Sequence, residues 1–284
     1  MPPIAARVPA STSNLGAGFD CLGLALDIRL EARIVRGAGP ARYTGTLEGL
    51  KEEDDLILAA LGHTMPQDHH LEAHSEIPVS RGLGSSAAAT VAGLALAQVL
   101  KGQQLDRRAL FDQARQIEGH PDNVGPAVFG CLLLATAQPT CLQLHASLGI
   151  ALAVPEQRVG TLHARSILPD RLTREDTIAQ AAGAAALIVG LTSGDPSLIG
   201  QGMIDRIAVP LRRRLITGFD GAVEAGHAAG AYGVTISGSG STLVGVCESG
   251  STQTVARAMA EALTESGNAA TPLAPGVSRA GVEV

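Results

Sequence analysis

Tryptophan is absent from this 284-residue chain, and its remaining aromatics are two Tyr and four Phe. A core without large rings must be filled by Ala, Leu, Val and Gly, which pack through close backbone approach. Lysine is nearly absent as well: Lys51 and Lys101 stand beside nineteen Arg. Net charge is −6, and the one basic run, Arg212-Arg213-Arg214, is too short for the clustered basic face that nucleic acid demands. Nucleic acid is thereby excluded as the main partner. The four cysteines (Cys21, Cys131, Cys141, Cys247) have no CxxC spacing, so a zinc site is not expected. They read as buried free thiols of a reducing compartment rather than disulfides. The longest apolar segment, Ala87–Leu100, is too short to cross a bilayer and is interrupted by Thr90, Gly93 and Gln98. Met1–Arg7 has no charged region followed by an apolar stretch, so no signal peptide is expected. A cytoplasmic protein with no membrane partner is the expectation.

With 45% hydrophobic and 17% charged residues the chain buries real cores, and its length suits two closely joined domains. The boundary is expected near Leu148, giving domains 1–148 and 149–284. The patterning predicts strands at Ala25–Val35, Leu71–Ile77, Ala127–Ala135, Leu142–His145, Ile150–Val154, Gly233–Ile236 and Thr242–Val246. Helices are predicted near Asp55–Thr64, Ser86–Lys101, Asp106–Ile117, Arg174–Leu191, Pro196–Arg206, Arg213–Ala228 and Thr252–Ser266. Gly119–Pro126, with two prolines, reads as a polar turn.

Four segments carry candidate chemistry. Pro78-Val79-Ser80-Arg81-Gly82-Leu83-Gly84-Ser85-Ser86-Ala87-Ala88 places two glycines before an Ala-rich helix that Ser85 can cap. Free amides and the positive end of a helix dipole make such a terminus a phosphate site. No Lys follows the glycines, so this is not a Walker A loop. Pro9–Asp20 reads as a polar loop ending in Gly-x-Gly-Phe-Asp, in which Asn14 and Asp20 either grip a cationic or hydroxylated ligand or form an Asx turn. Glu118-Gly119-His120-Pro121-Asp122-Asn123 concentrates polar groups: a carboxylate for Mg²⁺, with His120 and Asn123 for a hydroxyl. Ser237-Gly238-Ser239-Gly240-Ser241 lies between two apolar strands, as a hairpin turn or a close backbone approach.

In this order and spacing the segments resemble the GHMP kinases. Within that family they look most like the homoserine-phosphorylating members, on Val8–Leu26, Glu118–Ala127, Thr161-Leu-His-Ala-Arg165-Ser-Ile-Leu-Pro169 and Pro210-Leu-Arg212. Ser241 stands where the family's last motif usually has proline. The resemblance implies an α+β fold of two domains, an N-terminal ribosomal-S5-like half and a C-terminal ferredoxin-like half. It implies ATP and Mg²⁺ as cofactors, L-homoserine as the small-molecule substrate, and admits a homodimer. Pro78, Arg81, Gly82, Leu83, Gly84, Ser85, Ser86 and Ala87 would hold the nucleotide, and Ser86 with Glu118 (or Asp112 in its place) the metal. Asn14, Asp20, His120, Asn123, Thr161, Arg165, Arg212 and Gly238 would bind substrate. Asn123, His120 and Asp20 are the catalytic candidates, with Asp20 the fallback base in a direct in-line transfer. Shikimate or mevalonate as acceptor is the alternative, and a non-catalytic ligand sensor on this fold a more distant one.

Overall fold

Small and β-branched residues extend Ile4–Ser13 into the first strand, β1, of a computed structural model that describes residues 4–284. Met1–Pro3, part of the stretch read for a leader, lie outside the described residues. β1 pairs antiparallel with the fifteen-residue β2 (Leu22–Arg36), and the register shifts between Pro9 and Ala10, beside a proline that has no amide to give the ladder. β3 (Arg42–Gly45) runs parallel to β4 (His69–Ser75), which pairs with the second half of β2. β5 (Leu132–Leu134) pairs with the start of β2, and β6 (Thr140–Leu142) with β5. Behind this sheet lie α1 (Leu56–Leu61), α2 (Ser85–Leu100), α3 (Arg107–Glu118) and α4 (Pro121–Phe129). A Cβ on Gly93 of α2 would stand 2.3 Å from the Ile57 carbonyl of α1, so the two helices meet backbone to backbone.

A second antiparallel sheet has the order β10-β7-β9-β8, from β7 (Leu148–Pro155), β8 (Gly233–Ile236), β9 (Leu243–Glu248) and β10 (Ala270–Leu273). The chain between β7 and β8 forms α5 (Thr161–Ser166), α6 (Arg174–Ser193), α7 (Pro196–Gly202), α8 (Val209–Arg212) and α9 (Phe219–Ala228). α10 (Thr252–Glu265) follows β9. Phe219, Met259 and Leu263 of α9 and α10 cover one face of the second sheet. Its other face, through Leu152 and Val244, joins Leu187 and Leu191 of α6 in the large core that also fills the first sheet. After β10 the chain returns to the first sheet: Gly276 and Ser278 bond the backbones of Asp27, Ala25 and Cys131, and Glu283 pairs with Arg7.

Several expectations need correction. Pro9–Ser13 is strand rather than loop, because Ser11, Thr12 and Ser13 are fully buried with partners for their hydroxyls. Gly119–Pro126 is mostly helix: Pro121 occupies the first helical position, where a missing amide costs nothing. That helix runs to Phe129 and shortens the predicted Ala127–Ala135 strand to β5. The predicted Arg213–Ala228 helix is interrupted at Gly218, whose φ of 82° starts α9 afresh. Cys131 and Cys141 form a disulfide, contrary to the free-thiol reading, because adjacent strands bring their Cα atoms to 5.9 Å. Cys21 and Cys247 are free. By length and composition the twenty-residue α6 is apolar enough to span a bilayer, unlike the shorter Ala87–Leu100 segment. In the fold Leu187 and Leu191 of α6 are buried, and Gln180 donates to the Ala17 carbonyl.

Candidate active site

The glycine loop before α2 is held rigidly from both sides. Gly82 and Gly84 have φ of 75° and 70°, and a Cβ on them would stand 2.1 Å from the Ser237 carbonyl and 2.2 Å from Ser11 Oγ. Only glycine satisfies both the left-handed backbone and the close approach. The Ser237 hydroxyl donates to the Gly82 carbonyl (2.7 Å), and the Ser11 amide to that of Leu83 (3.1 Å). Gly84, not Ser85, is the N-cap, and no side chain caps α2 among the described residues. The first amides of the helix are thus left for a ligand. Arg81 lines the adjoining cavity, and its guanidinium donates to the carbonyls of Val79, Pro155 and Glu156, tying the loop to the end of β7.

The loop forms one wall of a cavity of about 460 Å³. Residues from both sheets' helices and turns close it, among them Asn14, Glu118, His120, Asn123, Thr161, Arg165, Arg212 and Gly238. Arg165 on α5 makes a two-pronged ion pair with Asp20, at 2.8 and 3.0 Å. This hydrogen-bonded carboxylate, opposed in part by burial, raises the Arg165 pKa. Arg212 closes α8, a short helix started by Asp205, whose carboxylate accepts from the amides of Ile207, Ala208 and Val209. Arg212 is 2% exposed, and its guanidinium donates to the carbonyls of Ala164 and Gly238. No carboxylate among the described residues lies within ion-pair distance of it. Burial and then the nearby Arg165 charge lower its pKa, against the opposing pull of the Asp20, Asp205 and Asp122 carboxylates.

His120 donates through Nδ1–H to Asp122 Oδ1 at 2.8 Å, and Asp122 is 2% exposed. Burial pushes the His120 pKa down, but the Asp122 hydrogen bond and charge outweigh it, so the net shift is upward. Asp122, also opposed by burial, is held below its ordinary value by the same pair. Asn123 bridges β1, taking the Ser11 hydroxyl on Oδ1 and giving Nδ2 to Ser13 Oγ, both at 2.9 Å. Asn14, at φ 70°, accepts from the Asp20 amide and donates to the Gly238 carbonyl.

At the other end of the cavity Glu118 Oε1 accepts from the hydroxyls of Ser86 and Thr90, each at 2.8 Å. Asp112, the alternative carboxylate, is paired with Arg108 at 2.8 Å on α3. Two oxygen donors beside a phosphate loop suit a hard cation that shares its shell with phosphates, so these residues fit Mg²⁺. Asp20 reaches the cavity through Arg165, and Pro78 lies outside its lining. Sequence reasoning missed Asp122 as the partner of His120, Thr90 on Glu118, and the apolar rim of Leu47, Leu50, Leu56 and Ile117. Of these, only the Asp122 spacing, two residues from His120, was visible beforehand.

A cleft with a helix-terminal phosphate loop facing a charged acceptor pocket defines a small-molecule phosphotransferase. Residues 50–131 match the GHMP kinases N terminal domain and residues 187–268 the GHMP kinases C terminal domain. The chain belongs to the GHMP kinase family; it is an ATP-dependent kinase with that family's two-domain fold and a small-molecule substrate. The homoserine kinase of Moorella thermoacetica is 37% identical over 276 residues, 92% of this chain and 93% of its own. The crystal structure of homoserine kinase from Cytophaga hutchinsonii superposes with a TM-score of 0.85 at 29% identity, covering all of this chain and 97% of that one. Mevalonate kinase of L. major, solved with R-mevalonate, has a TM-score of 0.67 at 14% identity over 95% and 96% of the chains, a likeness of fold alone.

Proposed function

We propose that the protein transfers the γ-phosphoryl group of ATP to the side-chain hydroxyl of L-homoserine, giving O-phospho-L-homoserine and ADP. The observation that carries this reading is the pairing of a buried Arg212 that lacks a carboxylate with an adjacent Asp20–Arg165 ion pair. Together they offer two guanidinium groups and one carboxylate, which complement a carboxylate and an ammonium on one small acceptor. Shikimate and mevalonate have no ammonium and would leave Asp20 without a ligand partner. The relatives at 37% and 29% identity are homoserine kinases. The intact phosphate loop and Glu118 weigh against a ligand sensor.

Phosphoryl transfer asks for positioning and charge neutralisation more than for covalent chemistry. Gly82–Ala87 cradle the phosphates with backbone amides. Ser86 and Glu118 would hold Mg²⁺, which supplies neutralisation of charge building on the phosphate oxygens. Arg212 and Arg165 fix the acceptor carboxylate, and Asp20 its ammonium. The hydroxyl oxygen attacks phosphorus in line, its new bond forming as the bond to the bridging oxygen of ADP breaks, and the hydroxyl proton is released. The Asp122 pair raises the His120 pKa, which favours a hydrogen-bond donor over a base at this position. Asp20 is a poor base for a different reason: both its carboxylate oxygens accept from Arg165. Asn123 orients the hydroxyl end while bridging Ser11 and Ser13.

We place the domain boundary between residues 148 and 149, just after the first residue of β7. The two substrates, ATP and an amino acid, fit a cytoplasmic location. The test is ADP release from purified protein with Mg-ATP and L-homoserine, shikimate, mevalonate or no acceptor. Release dependent on L-homoserine is expected. Release with another acceptor, or equal release without any, would overturn the substrate assignment.

A further inference from the structure

Thr90 is not part of the cavity lining; it is 1% exposed and its hydroxyl donates to Glu118. It lies four residues after Ser86, on the same face of α2 and one turn further in. Both hydroxyls donate to the same oxygen, Glu118 Oε1, at 2.8 Å each, and among the described residues no donor reaches Oε2.

Threonine is a costly choice at this position. It interrupts the run Ala87-Ala88-Ala89, and a threonine is roughly 0.5 kcal/mol poorer than alanine inside a helix. A mid-helix threonine commonly turns its hydroxyl back to the carbonyl four residues earlier. Here the hydroxyl crosses to the end of α3. Glu118 is the last residue of that helix, where the negative end of the dipole repels a carboxylate. Donors from α2 hold the carboxylate over the phosphate loop against that repulsion. Of the two, Ser86 lines the cavity and Thr90 does not, so Ser86 is the one within reach of a metal or phosphate bound there.

We propose that Thr90 is a positioning residue for the metal site: it holds Glu118 Oε1 in place so that the Ser86 hydroxyl is free to turn to the cation. This rests on the reading of Glu118 and Ser86 as the Mg²⁺ ligands, and the experiment separates the two. Mn²⁺ affinity is measured by electron paramagnetic resonance on the full chain with a non-hydrolysable ATP analogue, for wild type, Thr90→Val, Thr90→Ser and Glu118→Gln. Thr90→Val is expected to weaken Mn²⁺ binding about tenfold or more, the usual effect of removing a hydrogen bond to a metal ligand. Thr90→Ser, which keeps the hydroxyl, binds as wild type does, and analogue affinity without metal is unchanged in both. If valine packs badly at this buried site, Thr90→Ala against Thr90→Ser makes the same comparison. Wild-type Mn²⁺ affinity in the hydroxyl-free variants, with affinity lost in Glu118→Gln, overturns the role of Thr90 and keeps that of Glu118. Unchanged affinity in Glu118→Gln overturns both.

Discussion

Arg165 and Asp20, 145 residues apart in sequence, meet through two parallel hydrogen bonds of 2.8 and 3.0 Å at the acceptor end of the cavity. The pair occupies itself the charges that a zwitterionic acceptor would engage, the carboxylate awaiting an ammonium and the guanidinium awaiting a carboxylate. Each residue is about one-third exposed, so solvent screens the pair and it can open. Asp20→Asn removes the proposed ammonium partner and the charge that pairs with Arg165. The KM for L-homoserine is expected to rise by about 10- to 100-fold, the worth of a charge-assisted hydrogen bond of roughly 1.5–3 kcal/mol. The affinity of 4-hydroxybutyrate, which lacks the ammonium, should rise relative to wild type. Equal losses for both compounds in steady-state kinetics would contradict the exchange.

Arg212 presents a fork already aligned by the Ala164 and Gly238 carbonyls. Lysine keeps the charge but not the fork. Arg212→Lys is expected to raise the KM for L-homoserine about tenfold or more while the KM for ATP changes less than about twofold. Parallel loss for both substrates would assign Arg212 to the fold instead.

The His120–Asp122 pair makes stability depend on pH at two edges. His120 has a raised pKa, so its contribution is complete below the ordinary value of 6.5 and is lost as pH climbs through the higher folded-state value. Asp122 has a lowered pKa, so its contribution is present above 3.8 and lost as pH falls through the lower folded-state value. The destabilisation of Asp122→Asn, from urea midpoints, should be largest between those edges and shrink above neutrality. In NMR titration His120 should ionise above 6.5 in wild type and lower in Asp122→Asn. An unshifted His120 would remove the case for a cationic donor.

Gly84 combines a positive φ with a Cβ position 2.2 Å from Ser11 Oγ. Gly84→Ala should cost about 1–2 kcal/mol from the left-handed backbone alone, with the clash added. Ser11→Ala in the same chain should recover the clash but not the backbone share, so the two substitutions are non-additive in a denaturant double-mutant cycle. Strict additivity would show that the loop moves to relieve the contact.

The sequence made the outline of this fold legible wherever apolar periodicity and capping residues agreed, as in β2, α2, α3 and α10. It misled where a polar residue was buried or a proline sat within a helix. Ser11, Thr12 and Ser13 read as loop because their partners, Asn123 and Ser237, are about 110 and 225 residues away. Pro121 and Pro126 read as breakers although α4 accommodates both. The motif residues were identifiable as a set, but not how they divide their labour. Arg81, Asn14 and Arg212 all line the cavity and all donate to backbone carbonyls, contacts that only the folded packing reveals. The final segment matched no motif because its role is non-local: Val282 is fully buried and Gly281 lies against the Val128 carbonyl at the end of α4.

That strap gives a stability prediction of its own. Val282→Ala, outside the cavity lining, removes part of a buried side chain worth about 1.5–3 kcal/mol in all, and should lower the urea midpoint measurably. An unchanged midpoint would mean that residues 276–283 contribute little to the fold.

The most direct test of the central claim is ³¹P NMR of wild-type protein with Mg-ATP and L-homoserine. The account predicts loss of the γ-phosphorus signal matched by ADP and by a phosphomonoester signal coupled to the two protons of the adjoining CH₂, only when L-homoserine is present. Inorganic phosphate in place of the phosphomonoester, or an ATP spectrum that does not change, would contradict it.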